Sequence, residues 1–318
     1  MFLGMSPEER LLANDNASRT ILELRDAYRQ QKANERKPEK MTHQIYSATG
    51  CARCHITKRF MKENGMDYEE YDIEADGKDA FAKFYRVHRA EIYRDKDGVE
   101  FPVYTDGSVI RQGVSVVIGH LVAGNGLDGF IGRSTLHGEW IDGFNISGGD
   151  PSRAGDLLKV MAYLKQNNLK ILLTTDGRNP EVLKAVHDEN LGDRIVMEVK
   201  GPAELYEALA GESIDPNALE TSIRLAARFP DYQFYSIVAP MIPKDDTVRY
   251  LTPEEIGETA KTIEKATGSK KHPYELRPFD PDSAVDDRLK SAEPLPANAF
   301  FKYRTSARQY MVMTQIAK

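Results

Sequence analysis

The sequence is poor in cysteine: Cys51 and Cys54 are the only two among its 318 residues. A closed zinc site needs about four ligands, and no second Cys-x-x-Cys is there to supply them. No apolar run approaches the roughly 20 residues that cross a bilayer, and the first residues lack the basic-then-apolar pattern of a secretory signal. The net charge of −6 gives no general attraction for nucleic acid or anionic lipid. We therefore expect a cytoplasmic protein that binds neither nucleic acid nor membranes.

The length predicts two folded domains, at roughly 150 residues for each. With 41% hydrophobic residues, the chain has enough apolar material for two cores. The first 42 residues are charged and low in apolar content, and we expect a docking helix followed by a linker there. One helical stripe would consist of Leu12, Ile21, Leu22, Leu24 and Tyr28. The predicted division is residues 1–42, 43–124 and 125–318.

The two cysteines lie where a short β-prone segment runs through a Thr-Gly turn into a helix. The helix N-terminus favours a thiolate on Cys51, because its backbone N–H groups are unpaired there. Arg53 adds positive charge close to that sulfur. Cys54 stands one turn later, near enough to attack a mixed disulfide on Cys51. The pattern predicts a redox pair, and the alternative is two buried structural cysteines.

Around this motif the pattern reads β-α-β-α-β-β-α. The predicted elements are a strand at 43–47, a helix at 51–64, a strand at 68–73, a helix at 78–92, a hairpin of 99–104 and 108–111, and a helix at 114–123. This order resembles the glutaredoxin branch of the thioredoxin fold, and Glu-Phe-Pro-Val at 100–103 matches the signature proline of that family.

The resemblance implies thiol–disulfide exchange with a protein disulfide or thiol as substrate. It implies that Pro102 follows a cis peptide bond and presents backbone to the bound partner. The substrate contacts it implies are Arg53, Phe101, Val103, Gly113 and Ser115. Ala48 stands near the place of a lysine usual in glutathione-dependent members, and Gln-Gly-Val-Ser at 112–115 differs from their pattern. Glutathione is therefore one candidate reductant and not the assured one.

The second half alternates on a longer period. A short strand ending near residue 146 is followed by helices at 153–167, 180–190, 203–210, 216–228 and 252–267, with strands at 170–174, 194–199, 232–239 and 274–279 between them. Strands separated by such helices predict βαβ units and a parallel sheet. About five or six strands are present, fewer than the eight of a complete barrel.

Ile-Ser-Gly-Gly-Asp-Pro at 146–151, Thr-Thr-Asp-Gly at 174–177 and Met-Glu-Val-Lys-Gly at 197–201 resemble the radical S-adenosylmethionine enzymes, above all the activating enzymes of glycyl-radical proteins. The resemblance implies a partial (β/α) barrel and a glycyl-radical or iron–sulfur enzyme as partner. The S-adenosylmethionine contacts it implies are Ser147, Gly148, Gly149, Asp150 and Lys200. Those enzymes hold a [4Fe–4S] cluster on three cysteines, but no cysteine follows Cys54. We therefore expect neither that cluster nor S-adenosylmethionine as a cofactor.

Together these patterns predict an α/β protein in which a glutaredoxin-like domain is fused to a cysteine-less radical-S-adenosylmethionine-like domain. Cys51 would attack a substrate disulfide and Cys54 would resolve the mixed disulfide, while the second domain recognises or regulates a partner. Two alternatives stay open. One is an enzyme that binds S-adenosylmethionine with an atypical cofactor. The other is a [2Fe–2S] carrier in which Cys51 of two chains bridges the cluster.

Overall fold

The computed structural model describes residues 42–96, 98–242, 248–284 and 286–317. Apart from Thr42, the predicted N-terminal helix and linker lie outside these residues. Within the described part, no helix is long and apolar enough to cross a membrane.

The first domain is a four-stranded mixed sheet with helices packed on it. Its elements are β1 (His43–Ser47), α1 (Ala52–Glu63), β2 (Tyr68–Asp72), α2 (Lys78–Val87), β3 (Arg94–Asp95), β4 (Gly98–Val99), β5 (Val103–Thr105), β6 (Ile110–Gln112) and α3 (Val114–Ala123). The strand order is β2-β1-β5-β6. Strand β1 is parallel to β2 and antiparallel to β5, as the predicted order requires.

Two predicted boundaries were wrong. Helix α2 ends at Val87 and does not continue to residue 92. After the helix, Ile92 packs in a separate apolar cluster with Tyr46 and Val103. The predicted strand over residues 99–104 is divided between β4 and β5, since Pro102 has no backbone N–H to donate to a ladder.

The second domain is an open sheet of six parallel strands with helices between them. Its elements are β7 (Trp140–Asn145), α4 (Ala154–Gln166), β8 (Lys170–Thr175), α5 (Pro180–Asp188), β9 (Arg194–Glu198), α6 (Tyr206–Ala210), α7 (Pro216–Ala226), β10 (Asp231–Val238), β11 (Pro240–Met241), β12 (Arg249–Tyr250), α8 (Pro253–Thr267), β13 (Tyr274–Pro278), α9 (Phe300–Ala307) and β14 (Thr314–Ile316). The order β7-β8-β9-β10-β13-β14 follows the chain. The predicted parallel sheet is therefore confirmed, with α9 and β14 as additions.

The strands of this sheet carry apolar side chains that are buried against the rest of the domain. Leu173, Ile195, Phe234 and Leu276 are completely buried. Strands in chain order joined by right-handed crossovers place their helices on one face of the sheet. Side chains alternate accordingly on β8, where Ile171 and Leu173 are buried and Thr174 is exposed. Helix α8 begins with a capping box, in which Thr252 and Glu255 satisfy each other's backbone N–H groups.

The segment before β7 lies against the edge of the sheet. The N–H of Gly132 donates to the carbonyl of Gly143 at 2.7 Å, and the N–H of Asn145 donates to the carbonyl of Phe130 at 2.8 Å. The Phe130 ring is completely buried. The glycine-rich connection between the domains is thus a packed part of the second domain.

The two domains share one apolar core. Ile56 and Phe60 of α1 and Val114 and Ile118 of α3 belong to the same cluster of buried side chains as the residues of helix α4. The Phe60 ring packs edge-on against Tyr163, with 4.9 Å between ring centroids. Helices α1 and α3 therefore attach the first sheet to the second domain.

Candidate functional site

Cys51 and Cys54 form a disulfide at the start of α1, with 5.3 Å between their Cα atoms. Cys51 is the N-cap residue, and its sulfur accepts a hydrogen bond from the backbone N–H of Cys54 at 3.1 Å. Cys51 is half-buried, whereas Cys54 is only 1% exposed. Of the two sulfurs, Cys51 is thus the one that a partner can reach. The helix ends as predicted at Asn64 and Gly65, where Gly65 has a φ of +65°.

The bond between Phe101 and Pro102 is cis, as the resemblance implies. Pro102 is buried, and its carbonyl accepts a hydrogen bond from the N–H of Gly113 at 2.9 Å. This bond fixes Gly113, the N-cap residue of α3, beside Pro102. Val103 is completely buried in β5, where it pairs with Tyr46 and Gln112 of the neighbouring strands.

Two more predicted contact residues flank this region. The Phe101 ring packs against Phe81, with 5.2 Å between centroids. Ser115, in the first turn of α3, is completely buried, and its hydroxyl has no hydrogen-bond partner in the described structure. The substrate-binding roles of Phe101, Val103, Gly113 and Ser115 stay predictions.

Arg53 points away from solvent and towards the second domain. Its guanidinium lies 3.2 Å from a carboxylate oxygen of Glu100. It donates to the carbonyl oxygens of Leu136 and Trp140, the latter at 3.0 Å. To bind a substrate, as predicted, the guanidinium would have to leave these contacts. In this structure Arg53 connects the two domains.

Glu100 is a member of this site that the sequence reasoning did not single out. Its side chain is 15% exposed, and its backbone carbonyl accepts a hydrogen bond from the Gln112 side chain at 3.0 Å. Burial raises the pKa of Glu100 above its usual value, although the charges of Arg53 and Arg133 oppose the shift. The position of Glu100 two residues before Pro102, inside the matched motif, was the available signal.

The loop that receives Arg53 is held by Asp142. The carboxylate accepts hydrogen bonds from the Ser134 hydroxyl at 2.9 Å, from the N–H and hydroxyl of Thr135, and from the N–H of Leu136 at 3.3 Å. Burial raises the pKa of Asp142, but the hydrogen bonds outweigh burial and keep the pKa below its usual value. The carbonyl of Leu136 is therefore presented by an ordered loop.

The Ser-Gly-Gly turn at the end of β7 is occupied by groups of the protein itself. The Ser147 hydroxyl lies 2.8 Å from that of Thr175 and accepts from the N–H of Asp176 at 2.9 Å. A Cβ atom added at Gly149 would lie within 3.0 Å of the Phe130 ring. A Cβ atom added at Gly148 would lie 2.6 Å from the carbonyl oxygen of Gly129. The glycines are thus needed for packing against the segment before β7.

Asp150 is exposed, and its carboxylate caps the short helical turn that follows by accepting from the N–H of Ser152 at 2.9 Å.

A cavity of about 910 Å³ opens at the carboxyl ends of the central parallel strands. Its charged lining includes Asp176, Glu198 and Lys200. Lys200 lies 2.9 Å from Glu198. Among the residues predicted to bind S-adenosylmethionine, Lys200 lines this cavity, whereas Ser147 to Asp150 are not part of its lining.

Residues 44–103 match the family model for glutaredoxin. This part of the chain is a glutaredoxin domain. The match contains the cysteine pair, Arg53, Glu100 and the cis-proline, and it ends at Val103. The glutaredoxin domain therefore supplies both sulfurs of the disulfide, while the second domain supplies the carbonyls that hold Arg53.

A Methanocaldococcus jannaschii protein provisionally named a glycyl-radical enzyme activating enzyme is 26% identical over 161 residues, which cover 49% of this chain and 61% of that protein. A domain of the pyruvate-formate lyase-activating enzyme of Bacteroides vulgatus has 13% identity and a TM-score of 0.38, over 55% of this chain and 98% of that one. Coproporphyrinogen III oxidase of Escherichia coli, described as a radical SAM enzyme, has 17% identity and a TM-score of 0.36, over 54% of this chain and 41% of that one. This chain joins a glutaredoxin domain to a second domain built on a six-stranded parallel sheet.

The donor set of the second domain does not fit the iron–sulfur cluster of radical SAM enzymes. Such clusters are held by thiolates, and both cysteines of the chain are in the glutaredoxin domain. Within the described residues there is also no group of three or more His, Cys, Asp or Glu side chains that could hold a metal ion. We therefore derive no reaction step through a cluster.

Proposed function

We propose that this protein is a thiol–disulfide oxidoreductase that uses Cys51 as nucleophile and Cys54 as resolving cysteine. The observation that carries the proposal is the disulfide at the start of α1, in which Cys51 is half-buried and Cys54 is fully buried. The cis bond before Pro102 and the match to glutaredoxin support it.

In the reductive direction, the Cys51 thiolate attacks one sulfur of a substrate disulfide and displaces the other as a thiolate, which takes up a proton. The Cys54 thiolate then attacks Cys51 in the mixed disulfide and releases the second substrate thiol. Two electrons pass to the substrate, and the Cys51–Cys54 disulfide is formed. A thiol reductant must return the pair to the dithiol state.

We assign partner recognition to the radical-SAM-like domain, with a glycyl-radical or iron–sulfur enzyme as the partner. Two observations support this assignment. Carbonyl groups of Leu136 and Trp140 lie beside the redox site, so a protein docked at the disulfide would also meet the second domain. The Methanocaldococcus jannaschii relative is named as a glycyl-radical enzyme activating enzyme, and this chain matches 61% of its length.

A second candidate is a small-molecule function of the cavity at the carboxyl ends of the strands. Ligands of open α/β sheets bind at this edge, and the cavity of about 910 Å³ is large enough for a nucleoside-sized molecule. S-adenosylmethionine is the less favoured ligand, because Ser147 and Asp150 use their side chains for internal hydrogen bonds.

The test is turnover with a peptide disulfide as substrate and dithiothreitol as reductant. We expect turnover by the full chain, none by Cys51→Ser, and a stable mixed disulfide between Cys51 and the peptide with Cys54→Ser. The same trap in a cell extract would capture the physiological partner, and fractionation of those cells would test the predicted cytoplasmic location. Equal turnover by the full chain and Cys51→Ser would overturn the proposal.

A [2Fe–2S] absorption spectrum of the anaerobically purified protein would favour the carrier alternative.

A further inference from the structure

Two features that favour a negative charge converge near the cis-proline. Arg53 stands between the cysteines in the first turn of α1. Helix α3 begins after Gly113 without a side-chain cap, so the N–H groups of its first turn lack helical partners. The hydrogen bond from Gly113 to Pro102 places this helix start directly beside the cis peptide. Both features favour a negative charge.

One carboxylate of the protein already occupies this position. Glu100 lies 3.2 Å from the Arg53 guanidinium, and the two side chains are only 15% and 13% exposed. A Cβ atom added at Gly113 would lie 3.1 Å from a carboxylate oxygen of Glu100. The carboxylate is thus in contact with the cation and with the start of α3 together.

We propose that Glu100 is a specificity-determining residue of the redox site, which disfavours anionic thiols such as glutathione and leaves the reduction of the disulfide to a dithiol on a partner protein. The inference rests on the proposed function and names its class of reductant. An incoming carboxylate would find Arg53 already neutralised and would be repelled by Glu100. Glutathione carries two carboxylates and one ammonium group, so its net charge is unfavourable here.

Monothiol and dithiol reductants differ in how they complete the reduction of the disulfide, and this difference can be measured. A thiolate attacks the Cys51 sulfur and displaces the Cys54 thiolate, which is protonated, and a mixed disulfide forms on Cys51. A second thiol then displaces Cys51, so that two electrons enter the pair and the reductant leaves as its disulfide. A monothiol must bind at the site twice, whereas a dithiol supplies the second sulfur from the same molecule.

The test compares small thiols that differ in charge: 2-mercaptoethanol, cysteamine, 3-mercaptopropionate and glutathione. The rate constant for reduction of the oxidised full chain is measured for each and divided by the thiolate fraction and by the rate constant with a model disulfide. These corrections remove intrinsic differences in nucleophilicity. We expect the two anionic thiols to react about tenfold more slowly than 2-mercaptoethanol, and cysteamine at least as fast.

Glu100→Gln should raise the ratio of the 3-mercaptopropionate rate to the 2-mercaptoethanol rate about tenfold. The matched control is Glu258→Gln, which removes the same charge from an exposed position on α8 and should change neither rate. Salt gives a test that needs no variant, because high ionic strength should reduce the disadvantage of the anionic thiols.

Equal corrected rates for neutral and anionic thiols would overturn the inference, as would an unchanged ratio in Glu100→Gln. Failure of the proposed function has a different signature. In that case dithiothreitol would reduce the pair without any transfer of electrons to a peptide disulfide.

Discussion

Arg53 of the glutaredoxin domain donates a hydrogen bond to the backbone carbonyl of Trp140, the first residue of the second domain's sheet, at 3.0 Å. One of the two residues between the cysteines is therefore part of the contact between domains. The same guanidinium holds Glu100, which precedes the cis-proline by two positions. One side chain thus contributes both to the domain contact and to the contacts around the cis-proline.

Replacing Arg53 by Met should lower the free energy of unfolding by about 1–3 kcal/mol, because Glu100 and two carbonyls lose a charged hydrogen-bond donor. Arg59→Met is the matched control. Arg59 is exposed and makes one contact across the domains, with Asn167 at 2.9 Å, so its loss should cost less than about 1 kcal/mol. Urea unfolding measures both. Equal losses would show that Arg53 is no more than a surface contact.

The pKa of Cys51 in the reduced protein should lie below the ~8.5 of a free thiol, because the sulfur caps the N-terminus of α1. The rate of alkylation of Cys51 as a function of pH gives this value directly. Cys54, which is buried, should react more slowly over the same range. A midpoint for Cys51 at or above ~8.5 contradicts the expected activation.

Gly149→Ala should destabilise the protein by about 1–3 kcal/mol, since the new methyl group would collide with the buried Phe130 ring. Gly155→Ala is the control within the same region. Nothing lies within 4 Å of a Cβ atom at Gly155, in the first turn of α4, and alanine there should be neutral or stabilising. If both variants unfold at the wild-type urea concentration, the Gly-Gly turn is not required for packing.

Asp142 should make the loop that holds Arg53 sensitive to acid. Its pKa is lowered in the folded state, so its stabilising effect is complete above the unfolded pKa of about 4 and is lost as the pH falls through the folded pKa. The difference in unfolding free energy between the wild type and Asp142→Asn should therefore be constant at neutral pH and shrink below about pH 4. A difference that does not change with pH would rule out the carboxylate as the cause.

The second domain should not assemble a [4Fe–4S] cluster. Cys51→Ser/Cys54→Ser, treated with iron and sulfide without oxygen, should bind far fewer than the roughly four irons per chain of such a cluster. Wild-type protein treated in parallel shows how much iron the cysteine pair itself takes up. A reducible paramagnetic cluster in the double variant would disprove this prediction and favour the S-adenosylmethionine alternative.

The local patterns of the sequence were sufficient for most of the fold and for the placement of the cysteine pair, while the sulfur chemistry stays a prediction. Cys51, at the junction of β1 and α1, was predicted from a strand, a turn and a helix that are neighbours in the chain. The contacts of Arg53 were not, because Leu136 and Trp140 lie more than 80 residues from it in the chain and Glu100 lies 47 residues from it. Contacts of that range depend on how two domains pack.

The elements that were missed are short and depend on tertiary contacts. Strand β14 has three residues, and it is held by pairing with β13 and by the side chain of Arg308, which donates to the carbonyl of Thr314 at 3.1 Å. A stretch of this length has no periodicity that separates it from a loop. The close packing of Gly149 on Phe130 could not be predicted from the local sequence either, because it depends on the path of a loop.

In the proposed reaction, the apolar core that α1 and α3 share with the second domain constrains how electrons enter and leave the cysteine pair. Because this core holds the disulfide in one place, the pair cannot swing between separate stations for its reductant and its substrate. Each must visit the same surface in turn. Steady-state kinetics should therefore follow a ping-pong rate law. An excess of either partner should inhibit, because it binds the form of the protein, oxidised or reduced, with which the other partner reacts.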